Sequence, residues 1–449
     1  MASTYLTRTI SDGSNTKSTF SAWVKRSGLG ATASTQYLFH TSENANNDVK
    51  ILFNSQDVLR VVGLVSSSTV MELTTNRKFR DTTAWYHIVV TIDTTESTAA
   101  DRVKMYINGV QETSFSTATY PAEDYSSLRL NNNGDRRTIG TIYDGGGSAG
   151  SGYFDGSMSH VHWVDGTAYQ ASTFGSTDAT TGEWKINTSP TLTMGTNGFT
   201  ILKDGNTITD QSANSNNFTL GAGTLSKTED CPSNIFATLN VNANKNANQA
   251  FTNGNNTHTS STSWLGAVSS LGAYAGKYYA EFKIVDRMNY SFGVCQSNGD
   301  TFENLSTANN NLIGKYADAW GFAGNDGTTN NKRTNNTNTS YGEVFSDGDI
   351  AMIAMDVTGG KIYFGRNGTW FDSSNPATGA SPAFTGLTFT ESMHFASGLE
   401  NANGQWNFGN GYFGTTAVSS AGSNASSIGI FEYDVPSGYT ALSTKGLNE

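Results

Sequence analysis

Residues 360–370 read GKIYFGRNGTW, and residues 102–111 read RVKMYINGVQ. Each alternates polar with apolar residues, carries an aromatic inside the run, and contains Asn-Gly. In the earlier stretch Val103, Met105 and Ile107 share one side, with Lys104 and Tyr106 on the other. In the later one Ile362 and Phe364 share a side. A period of two is that of a strand, whose side chains point alternately to opposite faces of the sheet. Asn-Gly tolerates the positive φ angles of a tight reversal. Each stretch therefore reads as a strand entering a hairpin. The repetition predicts two β domains of related design.

The same period recurs outward from both stretches. In the first half it appears at 20–26 (FSAWVKR), 85–93 (WYHIVVTID), 137–143 and 153–166 (YFDGSMSHVHWVDG). Tyr86, Ile88, Val90 and Ile92 share a face. In 153–166, Met158, His160 and His162 are expected on one face, with Phe154, Val161 and Trp163 in the core. In the second half, 277–286 (KYYAEFKIVD) sets Tyr278, Ala280, Phe282 and Ile284 against Tyr279, Glu281, Lys283 and Val285. SFGVC follows, and 349–371 reads as one hairpin with Gly359-Gly360 at its turn. No helical period is sustained. The fold class expected is all-β, with two antiparallel jelly-roll β-sandwiches spanning 1–173 and 241–449. A β-rich connector, 174–240, joins them. Its Phe199, Ile201, Ile208, Phe218 and Leu220 give it something to bury, unlike a flexible tether.

Composition agrees. The chain has 449 residues, 36% hydrophobic yet 11% aromatic, with 48 Gly and only 6 Pro, the profile of many short strands and polar loops. A net charge of −11 repels phosphate backbones, so nucleic acid is not an expected partner. No apolar run approaches the roughly 18 residues of a spanning helix, so no membrane insertion is expected. MASTYLTR lacks the apolar region of a signal peptide and reads as the start of a protein made in the cytoplasm. The two cysteines fit no metal or redox spacing, and Cys295 reads as a small core residue.

The succession FSAWVKRS, WYHIVVTID, VKMYINGVQ and FDGSMSHVHWVDG resembles the laminin-G-like branch of the concanavalin A-like lectin folds. YYAEFKI, SFGV, AWGF (319–322), SYGEVFSDGD (340–349), the strand ending at Asp356 and KIYFGRNG resemble the SPRY domain, another sandwich. The whole arrangement resembles virion proteins of marine tailed phages. It starts with YLTRT and FSAWVKRS, has a connector ending NIFATLN, and ends in GIFEYDVPSGYTALSTKGLN. That resemblance implies a non-enzymatic virion structural protein, a tail fibre or adhesin binding host cell-surface glycan. The alternative is a capsid or tail decoration protein used for protein packing, and a third reading is a polysaccharide depolymerase. The partners implied are other virion proteins and host surface polysaccharide. Self-association is expected, with a trimer the analogy from phage fibres.

A retaining glycosidase needs two carboxylates about 5 Å apart. The acids of 281–286 have the wrong spacing and read as solvated strand ends. His160 and His162 would need a third ligand to hold a metal. Laminin-G-like domains commonly hold Ca²⁺ at the sandwich rim, which makes Asp93, Asp101, Asp135 and Asp144 the candidate ligands for Ca²⁺. Glycan binding needs exposed rings and amides. The second-domain loops supply Tyr316, Asn325, Asp326, Asn367, Trp370, Phe371 and Tyr412. Trp320 and Phe408 match SPRY core positions.

Overall fold

Both Asn-Gly turns form, with one geometry. In the computed structural model, φ is 48° and 81° at Asn108 and Gly109, and 48° and 85° at Asn367 and Gly368. The strands Val103–Ile107 and Val110–Glu112 flank the first turn, and Lys361–Arg366 and Thr369–Trp370 the second. Each asparagine also pins its turn to a neighbouring strand. Asn108 Oδ1 accepts the His87 N–H at 2.7 Å, and Asn108 N–H donates to the His87 carbonyl at 2.9 Å. Asn367 repeats this with Ile350, at 2.9 and 3.0 Å.

The structure describes residues 3–30, 35–143, 150–203, 205, 207–243, 246–261, 263–286, 289–307, 312–325 and 328–448. The chain divides into two units, Met1–Lys227 and Thr228–Glu449. Residues 174–240, expected as a connector, are shared between them. Phe199–Ile201 and Thr219–Ala222 are edge strands of the first unit. Residues from 228 onward belong to the second.

The first unit is a sandwich of two antiparallel sheets. One has eight strands in the order Phe115–Thr119, Ser68–Lys78, Val58–Val65, Asn47–Phe53, Gln36–Asn44, Arg136–Ile139, Tyr5–Thr9 and Thr219–Ala222. The other has six: Phe199–Ile201, Gly156–Asp165, Lys17–Arg26, Tyr86–Asp93, Val103–Ile107 and Val110–Glu112. Their inner faces meet in one apolar core that takes in Phe20, Phe39, Ile88, Val90, Met105 and Trp163, so the alternation of 86–93 and 103–107 is realised as expected.

One strand departs from it. In Gly156–Asp165, Ser159 pairs with Trp23 but His162 with Ser21, so an extra residue is inserted, and His160 takes φ 48°. Such a bulge reverses the parity of everything after it. Met158 therefore packs on the same core as Val161 and Trp163, and does not share the face of His162.

The second unit also pairs two sheets. Its larger sheet runs Gln249–Thr252, Thr257–Ser260, Ala402–Asn407, Lys277–Ile284, Ile350–Asp356, Lys361–Arg366 and Thr369–Trp370. A last strand, Thr440–Ala441, lies parallel to the start of Lys277–Ile284, where Ala402–Asn407 no longer reaches. The other sheet runs Leu265–Val268, Met393–Leu399, Asn289–Gln296, Ala319–Asn325, Asn331–Thr334 and Thr337–Ser340. The core between them holds Phe282, Phe292, Phe322, Phe364, Trp320, Trp406 and Phe408. Cys295 is fully buried, and both cysteines are free thiols.

In each unit a later segment covers the outer face of one sheet. In the first, Phe174, with Tyr169, Trp184 and Leu192 around it, packs on Val89 and Tyr106. In the second, Phe431, Val435 and Tyr439 pack on Tyr279, Met352 and Tyr363. Both covers reach the hairpin tips. A Cβ added at Gly109 would sit 2.3 Å from Trp184, and one at Gly368 would sit 3.1 Å from Tyr433.

Candidate functional site

The expected glycan residues of the second unit disperse into different roles. Asn367 is exposed, but its amide is spent: besides its bond from Ile350 it donates to Asp349 at 2.7 Å. Trp370 is half-buried, meeting Tyr279 edge-on at 6.3 Å beside the C-terminal cover. Phe371 is 5% exposed and stacks on Phe322 at 5.7 Å. It is core, because the strand ends at Trp370 and a turn of 3-10 helix swings the next ring inward. Tyr412 is half-buried in the short pair Tyr412–Phe413 with Thr416–Ala417. Tyr316 is half-buried, with the Lys315 ammonium 5.8 Å from its ring; burial, then Asp300 and Asp318, push its phenol pKa up. Asn325 ends the strand Ala319–Asn325, and Asp326 lies outside the described residues.

An exposed ring that the strand pattern did not single out is Tyr274, at 74% exposure. It sits in the turn LGAYAG ahead of Lys277–Ile284, flanked by small residues. That setting was its signal: an aromatic with small neighbours and no period-two partner has nothing local to bury it.

Glu281 overturns its reading as a solvated strand end. It is fully buried and accepts four hydrogen bonds. The donors are the Tyr279 hydroxyl at 3.0 Å, the Asn407 amide at 3.1 Å, and the backbone N–H groups of Glu432 and Tyr433 at 2.9 and 2.8 Å. Burial outweighs these donors and holds its pKa at about 7. Two of the four donors, the Glu432 and Tyr433 N–H groups, belong to the C-terminal segment, which makes Glu281 a latch.

Three of the four candidate Ca²⁺ ligands are held by protein groups. Asp93 accepts from Lys17 at 2.9 Å and from the backbone and hydroxyl of Thr95. Asp101 pairs with Lys104 at 3.0 Å. Asp135 is buried against the Arg129 guanidinium. Asp144 lies outside the described residues. Among the described residues no group of three or more His, Cys, Asp or Glu is placed to hold a metal. His160 and His162 have ring centroids 6.4 Å apart. His162 is buried, bonded to Thr200 at 2.8 Å, and burial holds its pKa at about 3.

No helix among the described residues is long and apolar enough to cross a membrane. Residues 2–172 match the concanavalin A-like lectin/glucanases superfamily, and residues 277–411 match the SPRY domain. The crystal structure of the TRIM65 PSpry domain aligns with 38% of this chain and 89% of its own, at 13% identity and a TM-score of 0.29. No curated protein matches the chain. Both domain types fit the binding of carbohydrate or protein. The chain carries the two in tandem: a concanavalin A-like domain followed by a SPRY domain.

Proposed function

We propose that the protein is a non-enzymatic structural component of a tailed-phage virion, a fibre or adhesin that binds host cell-surface glycan. One observation carries the reading. Two of the segments that mark the resemblance to phage virion proteins, NIFATLN and the C-terminal GIFEYDVPSGYTALSTKGLN, form one piece of structure. Phe236 bridges to Ser443, Ala237 N–H donates to the Leu442 carbonyl at 2.9 Å, and Ile235 N–H donates to Thr444 Oγ1 at 3.0 Å. The motif pair is thus a structural unit wrapped around the SPRY sandwich. The exposed Tyr274 ring adds a surface on which a sugar face stacks.

A shallow sugar site binds near millimolar, about −4 kcal/mol. Repetition raises avidity roughly 10²–10⁴-fold. The reading therefore includes self-association, a trimer by analogy with fibres, alongside other virion proteins. Gold-labelled antibody on purified virions is expected to decorate tail tips or fibre ends. Gold spread over the capsid would replace the adhesin with a decoration protein, and unlabelled virions would overturn both. Tyr274→Ala in the full chain is expected to weaken binding to isolated host polysaccharide about tenfold.

A further inference from the structure

The edge strand Thr219–Ala222 pairs with Tyr5–Thr7 and begins at Thr219. Arg8 and Thr9 remain paired on their other side, to Arg137 and Arg136, but here they face a loop instead of a strand. The step leaves an open groove of about 540 Å³, lined by Thr7, Arg8, Arg136, Ser215 and Asn216 among others. That size falls within the range of small-ligand sites.

Among the described residues, the two guanidinium groups that line it pair with no carboxylate. Arg26, Arg60, Arg80, Arg102, Arg129 and Arg366 each pair with a carboxylate. Arg8 instead donates to Asn216 Oδ1 at 2.6 Å and to the Asn197 carbonyl at 3.5 Å, with the Phe218 ring 5.9 Å away. Arg136 lies 4.4 Å from the Tyr143 ring, and its side chain makes no hydrogen bond among the described residues. The acid that acts on Arg8 at longer range, Asp210, has both oxygens occupied by Thr200, Ser212 and Asn216. The Thr7 hydroxyl, which also lines the groove, is buried with no hydrogen-bond partner among the described residues.

The loop is built in advance. Besides the Asp210 bonds, the Asn216 side-chain N–H groups donate to the carbonyls of Thr196 and Gly198 at 2.9 and 2.7 Å. Its oxygen is then left to orient Arg8. A preorganised loop spends little of the binding energy on ordering.

Guanidinium forks match carboxylate and sulfate oxygens, while the amides and hydroxyls around them match sugar hydroxyls. We propose that this groove binds an acidic sugar unit, a uronate or a sulfated residue, of an anionic polysaccharide. The proposal rests on the glycan-binding reading and gives it a site in the first unit. The chain's overall negative charge does not forbid it. At physiological salt charges are screened beyond roughly 8 Å, so two nearby arginines act locally where a long phosphate backbone would meet the whole field.

The test is titration of the full chain with three probes: oligogalacturonate, a sulfated dextran fragment and neutral dextran. At least one anionic probe is expected to bind tenfold or more tighter than neutral dextran, and to weaken with added salt. Arg8→Gln and Arg136→Gln are each expected to lower that affinity about tenfold. Arg136→Gln is the safer variant for folding, because its side chain supports no hydrogen bond. Which anionic probe binds separates carboxylate from sulfate recognition. Unchanged affinity in Arg136→Gln, or no preference for an anionic probe, overturns the groove. If host polysaccharide still binds in that case, the glycan reading stands without it. If no glycan binds at all, both fall.

Discussion

In both units a later segment is laid over the outer face of a sheet, yet the fastening differs. In the first, Trp184 donates its indole N–H to His87 at 3.0 Å, and the ring of His87 stacks on Trp23 at 4.9 Å. The fastening works because the imidazole is neutral, and burial holds the pKa of His87 at about 3. In the second, the fastening is Glu281, which receives two backbone N–H groups of the cover. One unit is clasped through a base that must stay uncharged, the other through an acid. Their surfaces differ too. The first has 17 Lys and Arg against 20 Asp and Glu, a net of −3, and the second has 10 against 18, a net of −8. The comparison shows that one architecture is indifferent to the chemistry closing it, while its response to conditions is not.

The largest effect is expected from Glu281→Ala. It leaves the Tyr279 hydroxyl, one N–H of the Asn407 amide and two backbone N–H groups without an acceptor. Buried groups left unpaired cost about 1–3 kcal/mol each, offset in part by removal of a buried acid, so a loss of about 3 kcal/mol is expected in urea unfolding. Hydrogen exchange should show protection lost first across 428–443. An unchanged exchange pattern there would show that apolar packing alone holds the cover.

Mild acid should separate the units by a smaller margin. His87 and His162 have native pKa values of about 3. A depressed histidine gives stability that is whole above the unfolded value of about 6.5 and is lost as pH falls. Together they should cost the first unit roughly 1.4 kcal/mol between pH 7 and 6. The second unit has His258, also at about 3, but Glu281 at about 7 acts oppositely. A raised carboxyl gives stability that is full below its unfolded value and is lost as pH rises through 7, so acidification restores it. Over that interval His258 costs about 0.7 kcal/mol and Glu281 returns about 1 kcal/mol, so the two nearly cancel. Exchange at pH 7 and 6, corrected for intrinsic rates, should show protection falling in the first unit and holding in the second. Equal losses would break the contrast.

The smallest effect tests the likeness of the hairpins. Asn108→Gly and Asn367→Gly keep the positive φ but delete the amide that bonds His87 or Ile350. Each should cost about 1 kcal/mol for that shared bond, with Asn367→Gly somewhat the larger because its amide also donates to Asp349. A large disparity would show that the turns are alike in backbone only.

Much of this was legible from residues alone. Alternation grouped the residues that share a face in 86–93, 103–107 and 277–284, because burial on one side of a pleat writes itself at period two. The bulge at His160 was not, since inserting one residue leaves no mark in an alternation that resumes afterwards. The covers were not legible either. Whether Trp370 or Tyr279 lies open depends on Phe431 and Val435, far along the chain, and no local pattern refers to them. The same gap hid Glu281: its spacing looks like that of a surface acid until its partners arrive. For the site, composition pointed to aromatics in loops but could not separate Trp370 and Phe371, adjacent residues with different burial. The groove at Arg8 needs residues from both ends of the first unit, so neither segment announced it.

The parallel pairing of Thr440–Ala441 with Tyr278 and Tyr279, beside the bridge from Phe236 to Ser443, brings the two ends of the second unit to one place. A module whose entry and exit lie together behaves as a cassette. It can be spliced into a surface turn of another fold without stretching either, or cut open at a distant turn and rejoined across its old ends with its sheets intact.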